Sequence, residues 1–454
     1  MKKVILILCG IVCAITTFAH ASGGQIVRKK TPKVVQGSNK STQSGSHKKK
    51  EKVLKQVPTI KEQKNDSCLF SLVWGFNEGL AAVENKGKWG YVDKNGRIII
   101  PIIYDEAFIF KEGLAPVKLK GKWGFIDKTG QEVVPCIYDE RTLFDNGMTI
   151  VILNGKKGFI DKIGRVVVLC EYESIDYIDN GIFRIKLNGK WGCVDKTGRI
   201  VIPLKYEMIG RSIHEGIVPV EFNGKWGVMD KGGQVIIPFK YGHISSFSEG
   251  MAPMRNNGKW GFIDKNGKEI IPYKYYEDVY DYSEGMAEVK FKGKWGFVDK
   301  TGQEVIPCKY DQTFPFSEGL AQVVLNGKKG FIDKTGREII PCRYDYISPY
   351  TYKFTDGLVI VGLNGKEGFI DKTGHEVIPL IYDGVRSFFH EGYAWVKMKN
   401  KWGCVDKTGR EVIPCIYEDV DVWDFREGFS GVKLNGKWGF IDKKGKFLRI
   451  NGMK

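Results

Sequence analysis

A fixed spacing of glycines, repeated eleven times, constrains this chain more than any other feature of its sequence. The segment GKWGFIDKTG, from Gly121 to Gly130, recurs with small changes. One glycine lies 11 residues before the glycine of each Trp-Gly pair, usually after Glu, and another lies 6 residues after it. These spacings never change, which is typical of rigid units stacked in a tandem array. The Trp-Gly glycines, or their equivalents where Trp is replaced, are Gly90, Gly124, Gly158, Gly192, Gly227, Gly261, Gly296, Gly330, Gly368, Gly403 and Gly439.

The variation in length is confined to one place in the unit. A tyrosine lies 14 residues after the Trp-Gly glycine in ten units, and Met453 takes its place in the eleventh. We call the residues between this tyrosine and the next Glu-Gly pair the connecting segment. The step to the next Glu-Gly glycine is 9 or 10 residues in most units, 13 after Tyr344 and 11 after Tyr417. Insertions in repeat proteins fall in loops, often on a binding face.

Each unit is predicted to form a three-stranded meander. In the second unit the strands are Leu114–Leu119, Lys122–Asp127 and Glu132–Tyr138, on the basis of alternating apolar residues and turn signals. Seven units join the first two strands by Asn-Gly, whose residues both accept the positive φ of a two-residue hairpin turn. Pro135 lacks an amide donor, so it predicts an edge or a bulge in the third strand.

Apolar side chains on both faces of these strands require cover from the neighbouring units. The sequence therefore predicts an all-β tandem array of about eleven three-stranded repeats over residues 67–454. Because eleven blades exceed the usual size of a propeller, we expect an open, superhelical, solenoid-like form. A closed, propeller-like ring is the alternative. Residues 68–76 align with residues 102–110, which places Phe70 in the tyrosine position. Such a segment either caps the first unit or closes a ring.

The first 66 residues differ in composition from the repeats. Residues 1–21 combine two lysines, a short apolar run and Ala19-His20-Ala21, a pattern typical of a secretory signal peptide. Residues 22–66 contain 12 Lys and Arg against 3 acidic residues and are predicted to be a disordered basic linker. With +9 here and +2 in the first 21 residues, +6 of the total +17 remains for the repeats. We therefore expect no nucleic-acid partner, no transmembrane span, and a basic tail able to touch an anionic surface.

Units such as EGLAPVKLKGKWGFIDKTGQEVVPCIYDE, Glu112 to Glu140, resemble the WG repeat, or WG-containing β-repeat, of bacterial proteins. The resemblance covers about 85% of the chain, residues 69–454. It implies a secreted or surface repeat protein with an interaction role and no known catalytic residue. The name-giving Trp is absent from three units, which carry Lys157, Lys329 and Glu367. Because that position accepts charge, we expect its Trp residues to be half exposed between units.

The chemistry-bearing residues do not assemble into a catalytic pattern. An Asp recurs in every IDK element, but the Asp-x-x-Gly turn explains it without a metal ion. Eight cysteines remain after removal of the signal peptide. Their apolar strand positions favour buried free thiols, with disulfides between equivalent positions as the alternative. The six histidines are scattered and lie beside no nucleophile motif. The sequence thus predicts a non-enzyme that needs no metal and no cofactor.

The connecting segments are the better candidates for a function. Their aromatic residue three positions before the Glu-Gly glycine is assigned to the core, since all eleven units carry an apolar or aromatic residue there. The remaining aromatics, which lie beside acids and suit a protein or sugar surface, are Tyr280, Tyr346, Tyr350, Tyr352 and Trp423. We expect an exported protein-binding or scaffold module at the cell envelope, located in the periplasm, on the cell surface or outside the cell. A cell-envelope glycan binder is the alternative.

Overall fold

The structure, a computed structural model, describes residues 69–451 except residues 180, 274–275, 349–353, 387 and 422–423. Within these residues the chain forms eleven small antiparallel sheets and no helix. The sheets follow one another along the chain as the blades of an eleven-bladed β-propeller. The signal peptide predicted for residues 1–21 and the basic linker predicted for residues 22–66 both lie outside the described residues.

The first four blades span residues 72–206. Blade 1 contains β1 (Leu72–Val73), β2 (Leu80–Asn85), β3 (Lys88–Asp93) and β4 (Ile98–Tyr104). Blade 2 contains β5 (Glu106–Ala107), β6 (Leu114–Leu119), β7 (Lys122–Asp127) and β8 (Glu132–Tyr138). Blade 3 contains β9 (Met148–Leu153), β10 (Lys156–Asp161) and β11 (Val166–Tyr172). Blade 4 contains β12 (Ser174–Asp179), β13 (Ile182–Leu187), β14 (Lys190–Asp195) and β15 (Ile200–Tyr206).

The next four blades span residues 208–344. Blade 5 contains β16 (Met208–Ile209), β17 (Ile217–Phe222), β18 (Lys225–Asp230) and β19 (Val235–Tyr241). Blade 6 contains β20 (His243–Ile244), β21 (Met251–Asn256), β22 (Lys259–Asp264) and β23 (Glu269–Ile271). Blade 7 contains β24 (Asp278–Ser283), β25 (Met286–Phe291), β26 (Lys294–Asp299) and β27 (Glu304–Tyr310). Blade 8 contains β28 (Gln312–Thr313), β29 (Leu320–Leu325), β30 (Lys328–Asp333) and β31 (Glu338–Tyr344).

The last three blades complete the ring. Blade 9 contains β32 (Tyr346–Ile347), β33 (Leu358–Leu363), β34 (Lys366–Asp371) and β35 (Glu376–Tyr382). Blade 10 contains β36 (Gly384–Val385), β37 (Tyr393–Met398), β38 (Lys401–Asp406) and β39 (Glu411–Tyr417). Blade 11 contains β40 (Asp419–Val420), β41 (Phe429–Leu434) and β42 (Lys437–Asp442).

The three strands predicted for the second unit are confirmed as β6, β7 and β8, and a fourth, short strand was missed. The connecting segment contributes it: β5 pairs with β6 through Glu106 opposite Lys118 and Ala107 opposite Val117. Two residues are too few for an alternation of polar and apolar side chains to show in a sequence. The segment before the Glu-Gly pair therefore belongs to the sheet and forms one edge of ten blades, whereas blade 3 has no such strand among its described residues. The third long strand forms the other edge in blades 1 to 10.

The glycine of the Trp-Gly pair is required by a close approach between strands. The register between β7 and β8 shifts twice, so the strand that carries Pro135 is both bulged and at an edge, as predicted. A Cβ atom on Gly124 would lie 2.5 Å from the carbonyl oxygen of Val134 and 2.7 Å from the amide nitrogen of Cys136. Because glycine has no Cβ atom, it alone allows the bulged strand β8 to pass this close to the backbone of β7.

The Glu-Gly pair forms a second two-residue hairpin turn, which the sequence analysis did not identify. Glu112 and Gly113 have φ values of 55° and 86°, and the amide and carbonyl groups of Lys111 and Leu114 are bonded to each other across them. A left-handed Glu is unfavourable by itself. Its carboxylate, however, accepts a hydrogen bond of 3.0 Å from the amide of Gly147 in the next unit and lies 3.0 Å from Lys162 Nζ. The Glu of this turn thus holds adjacent blades together.

The ring is closed, so the open superhelical form expected from the sequence is wrong and the alternative is right. Phe70 forms a bridge with Trp438 of blade 11, as Tyr138 does with Trp123 in blade 2. The amide of Trp438 donates to the carbonyl of Phe70 over 2.9 Å. Glu427 also accepts a 3.0 Å hydrogen bond from the amide of Gly79, the same contact that joins other neighbouring blades. The first described residues thereby supply the missing edge of the last blade.

The core lies between the blades. Phe125 packs on Phe144 of the connecting segment before blade 3, with ring centroids 4.8 Å apart, whereas Ile126 packs with the cluster of Tyr91 and Ile100 on the other side. Neighbouring units thus cover both faces of each blade, as predicted. The aromatic residue three positions before each Glu-Gly glycine is also core: Phe110, for example, is buried.

The Trp side chains are less exposed than predicted from the sequence, which suggested that they are half exposed between units. Those of Trp89, Trp123, Trp191 and Trp295 are buried, and the other four of the repeated position are partly buried. The charged replacements reach polar or aromatic groups of the first strand of the following blade. Glu367 Oε2, for instance, accepts a 2.7 Å hydrogen bond from the amide of Val385. A charge is tolerated there because it finds a partner, and not because the position is open to water.

Candidate functional site

Two of the five candidate aromatic residues lie in the described part of the chain. Tyr350, Tyr352 and Trp423 lie outside the described residues. Tyr346 belongs to β32, opposite Gly362, and is only partly exposed, with Lys329 Nζ 5.7 Å from its ring centroid. Tyr280 belongs to β24 and is 51% exposed. The structure therefore separates Tyr346 from Tyr280, and the exposed aromatic candidate among the described residues is Tyr280.

Tyr280 is held in place by Trp295. The two rings are stacked at a centroid distance of 5.2 Å and an interplanar angle of 19°. Trp295 lies opposite Tyr310 of the outer strand β27, and its side chain is buried. An aromatic side chain that is exposed and yet held by stacking loses little further rotational freedom when it binds a ligand. This is the first feature of the candidate site.

The second feature is a cavity of 570 Å3 between blades 7 and 8, on whose wall Tyr280 lies. Cavities of this volume suit small organic ligands. Blade 7 contributes Tyr280, Asp281, Glu288 and Trp295, and blade 8 contributes Thr313 on its short first strand. The wall therefore combines aromatic rings with carboxyl groups, which is a suitable surface for polar or charged ligands.

A bulge in β24 shapes this cavity. Val279 is paired with Val289 and Tyr282 with Ala287, so both Tyr280 and Asp281 lie opposite the single residue Glu288. Bulges often redirect side chains beside functional sites. β24 has six residues, whereas β28 in the next blade has two. The longer connecting segment of blade 7 thus brings an aromatic and an acidic residue to the cavity.

Glu288 is the most unusual ionisable residue of the site. Its side chain lines the cavity and is 2% exposed. Its Oε1 accepts a 2.7 Å hydrogen bond from the hydroxyl of Thr313, which is its one polar partner among the described residues. Burial raises the pKa of this carboxyl to about 7, and the Thr313 hydroxyl opposes the rise only in part. Near neutral pH the group is therefore close to half ionised.

Asp281 adds a second acidic group at the exposed side of the cavity. Desolvation by the surrounding protein raises the pKa of its carboxyl, and His214 acts in the opposite direction. Asp311 is also part of the wall, but its carboxylate is paired with Lys294 at 2.6 Å and that contact lowers its pKa. The cavity thus contains one paired carboxylate and two carboxyl groups with raised pKa values.

Glu288 was not predicted from the sequence, although a signal for it is present there. Its position, third after the Glu-Gly glycine, is mostly apolar or small in the other units. Three units depart from this pattern with Arg184, Glu288 and Gln322, all of which are buried. A polar residue in a core position of one repeat is a sign of a local role. The residues at this position are Ala82, Pro116, Ile150, Arg184, Pro219, Pro253, Glu288, Gln322, Ile360, Trp395 and Gly431.

The recurring Asp residues act in turns. Asp127 Oδ1 accepts hydrogen bonds from the amides of Thr129 and Gln131, at 2.9 and 3.0 Å, and from the Thr129 hydroxyl at 2.6 Å. These bonds lower its pKa. Residues 69–451, apart from the gaps given above, contain no group of three or more His, Cys, Asp and Glu arranged to hold a metal ion. The same residues include no helix with the length and hydropathy needed to span a bilayer.

Seven cysteines lie in the described part of the chain, and all are free thiols. Cys193 and Cys404 are buried, and desolvation raises the pKa of both. The sequence predicts buried thiols at the five cysteines that follow the third-strand Pro or its substitute, but the structure shows them to be partly exposed. These residues are Cys136, Cys170, Cys308, Cys342 and Cys415. Their Sγ atoms lie near carbonyl oxygens of the first long strand, as Cys136 does with Val117. Burial raises the pKa of Cys136, Cys308, Cys342 and Cys415, which opposes thiolate chemistry at these four residues.

Comparison with solved structures gives weak similarities. The crystal structure titled eukaryotic initiation factor is 12% identical, with a TM-score of 0.37, over 66% of this chain and 94% of that chain. Hsv2 from Kluyvelomyces marxianus is 8% identical, with a TM-score of 0.25, and the match covers 51% of this chain and 92% of that chain. The extracellular domain of a putative one component system from B. thetaiotaomicron is 12% identical, with a TM-score of 0.22, and the match covers 86% of this chain and 72% of that chain. TM-scores this low support no argument about ligands or partners.

No curated protein matches the chain. A family model, by contrast, matches it in eleven successive segments that follow the repeat. The model describes the WG containing repeat. The matched residues are 67–89, 89–123, 123–156, 158–191, 191–226, 226–260, 260–295, 295–328, 330–366, 368–402 and 402–438. Matches across this length, on a ring of eleven similar blades, show that the chain belongs to the family of proteins built from WG containing repeats.

Proposed function

We propose that this chain is an exported, non-enzymatic binding or scaffold module that acts on a protein partner at the cell envelope. The observation that supports this proposal is the exposed Tyr280 held by stacking on Trp295. Rigid aromatic side chains of this kind are the usual anchors of protein interfaces. Tyr346, Tyr350, Tyr352 and Trp423, in the connecting segments of later units, are proposed as further contact residues on the basis of the sequence. The repeated contacts between blades keep such a surface in one shape.

A pull-down from envelope extract tests this proposal. The bait is the chain from Ser22 onward with a C-terminal tag, and bound proteins are identified by mass spectrometry. We expect Tyr280→Ala, Trp423→Ala and the double variant Tyr350→Ala/Tyr352→Ala each to reduce recovery of the partner without lowering the Tm. Tyr177→Ala is the matched control, because Tyr177 is also an exposed aromatic of a six-residue first strand, at 44% exposure. Unchanged recovery with all three variants would contradict the proposal.

Export depends on residues 1–21. We propose cleavage after Ala21, which leaves Ser22 as the first residue of the mature protein. Cell fractionation followed by N-terminal sequencing tests this directly. A protein recovered from the cytoplasm with Met1 intact would overturn the assignment to the envelope.

The basic linker, residues 22–66, is proposed to contact an anionic surface. Its charge of +9 is enough for salt-dependent adsorption. We expect the full mature chain to sediment with phosphatidylglycerol vesicles at low salt and not with phosphatidylcholine vesicles. Deletion of residues 22–66 should abolish the difference, and equal sedimentation of both forms would refute this role.

A cell-envelope glycan is the second candidate ligand, and a specific observation favours it. The stacked ring of Tyr280 lies on the wall of a cavity whose other groups are hydrogen-bonding side chains. Flat aromatic rings beside carboxyl groups suit sugar rings and their hydroxyls. A glycan array probed with the mature chain distinguishes the candidates. Binding to neutral glycans that is lost in Tyr280→Ala would support this function in place of a protein partner.

A further inference from the structure

We propose that the cavity between blades 7 and 8 binds a small ligand through an ammonium group, which is held by Glu288 beside the Tyr280 and Trp295 rings. This inference goes beyond the proposed function, because it assigns a small-molecule site that a protein scaffold does not require. It rests on the buried side chain of Glu288 and on a comparison with blade 4.

The first observation is that Glu288 lacks a cation. Its side chain is 2% exposed and lines the cavity, and its one hydrogen-bond partner among the described residues is the Thr313 hydroxyl, at 2.7 Å. That bond engages Oε1 and leaves Oε2 without a partner among the described residues. A buried carboxylate is costly unless a positive group is paired with it. No Lys, Arg or His of the described residues lies within ion-pair distance of Glu288.

The second observation is the equivalent place in blade 4, where the fold itself supplies a cation. Arg184 occupies the position of Glu288 and is 5% exposed. Its NH2 atom lies 2.7 Å from Asp176 Oδ2, and its guanidinium carbon is 4.4 Å from the ring centroid of Trp191. An acid, a cation and the repeated Trp thus come together at this position. In blade 7 the acid and the Trp are present, and the cation is left for a ligand to provide.

The surroundings of Glu288 are suited to one positive charge. Partial burial, and then the nearby carboxyl groups of Asp278 and Glu288, raise the pKa of Tyr280, and Asp281 follows Tyr280 on the bulge of β24. Asp311 on the blade 8 side is already paired with Lys294. Lys290, on the same strand as Glu288, lies over the Trp295 ring with Nζ 5.7 Å from its centroid. His214 acts on Asp281 at the rim. Electron-rich rings stabilise an ammonium group further.

The cavity volume of 570 Å3 restricts the ligand to a small molecule. An amino sugar and a short alkyl diamine share the required chemistry. A neutral sugar of the same size shares the shape of the amino sugar and lacks the charge. These three classes are therefore the probes that separate recognition of an ammonium group from recognition of a sugar ring.

Isothermal titration calorimetry on the full mature chain tests the proposal with 1,4-diaminobutane, glucosamine and N-acetylglucosamine. We expect one of the two amines, or both, to bind, and N-acetylglucosamine to bind at least tenfold more weakly. Binding of diaminobutane, which stays cationic across this range, should strengthen about tenfold or more from pH 5.5 to pH 8. The cause is that the ligand binds the ionised form of Glu288. Binding at pH 6.5 should release protons, detected as a dependence of the measured heat on the buffer.

Variants separate this role from a structural one. Glu288→Gln keeps the shape and a hydrogen-bond acceptor for Thr313, so it should fold with an unchanged or higher Tm. We expect it to lose at least tenfold in affinity for the amines and to lose the pH dependence. Tyr280→Ala should weaken binding severalfold, and Tyr177→Ala should leave it unchanged.

Three outcomes overturn the proposal: no binding of either amine, binding of N-acetylglucosamine as strong as that of glucosamine, or unchanged amine affinity in Glu288→Gln. The result is independent of the pull-down. Amine binding without a recovered protein partner would refute the scaffold function and leave this inference standing. Recovery of a protein partner without amine binding would refute this inference and leave the scaffold function standing.

Discussion

Blades 4 and 7 begin with the same unusual element and use it in opposite ways. Each has a six-residue first strand with an irregular register, where other blades have two residues or none. In blade 4, Asp176 on that strand neutralises the buried Arg184. In blade 7, Tyr280 stands at the position of Asp176 and leaves the buried Glu288 with a hydroxyl partner only. One blade satisfies its buried charge internally, whereas the other leaves a charge for a ligand.

The difference shows how a repeat protein gains a site without changing its scaffold. Both blades keep the Trp-Gly glycine and the bulged third strand. The difference in charge comes from the connecting segment and from the core position that holds Arg184 in one blade and Glu288 in the other. Because the connecting segment is the part of the unit that varies in length, it is the part that can be altered without breaking contacts between blades.

The largest effect is expected where the two blades are alike. A Cβ atom on Gly296 would lie 2.4 Å from the carbonyl oxygen of Ile306, and one on Gly192 would lie 2.7 Å from that of Ile202. We expect Gly296→Ala and Gly192→Ala each to cost about 3–5 kcal/mol, because the bulged edge strand must move away. Thermal unfolding and amide hydrogen exchange of each blade measure this. A cost below about 1 kcal/mol in either blade would show that the scaffolds are not equivalent.

The second test concerns the uncompensated acid of blade 7. Since the pKa of Glu288 is raised from 4.5 to about 7, protonation stabilises the fold below about pH 4.5 and the contribution is lost as pH rises towards 7. Gln is neutral at every pH. Glu288→Gln should therefore match the wild type at pH 4 and exceed its stability by roughly 3 kcal/mol above pH 7. Denaturant unfolding across this range is the measurement, and a constant difference at all pH values would contradict the assignment.

The third test removes the internal partner of blade 4. Asp176→Ala leaves Arg184 buried without its carboxylate, although Arg184 keeps its 2.7 Å bond to the carbonyl oxygen of Ile209. The Asp176 side chain is 40% exposed, so water screens the ion pair and the expected cost is about 2 kcal/mol, below that of a fully buried pair. The double variant Asp176→Ala/Arg184→Met should recover most of this loss. No recovery would mean that Arg184 is held by contacts other than the ion pair.

The smallest effect is expected at the exposed aromatic residues. Tyr280 and Tyr177 are 51% and 44% exposed, so replacing either by Ala should change stability by about 0.5 kcal/mol or less. Binding should change only for Tyr280→Ala. Parallel melting curves and titrations of both variants sharpen the comparison. A large loss of stability in Tyr280→Ala would make its stack on Trp295 a structural contact.

The sequence predicts the unit more completely than it predicts the site. The bounds of β6, β7 and β8, the bulge at Pro135 and the position of Phe70 are all confirmed. Each depends on residues near one another in the chain or on the alignment of one unit with the next. Tyr280 was identified because it is an aromatic residue of the connecting segment that lies beside acidic residues and outside the repeated core position. Glu288 was missed because its meaning depends on Thr313, 25 residues away on the next blade.

The repeat spacing by itself determined the three long strands of the unit, the two turns that join them and the number of units, because these follow from glycine geometry and alternation over a few residues. Ring closure was decided only by the tertiary structure, since it requires Phe70 to meet Trp438 and Glu427 to meet Gly79. The burial of Glu288 was decided in the same way. A carboxyl group acquires a raised pKa from the whole of its surroundings, and those surroundings come from two blades and a bulge that no local pattern specifies.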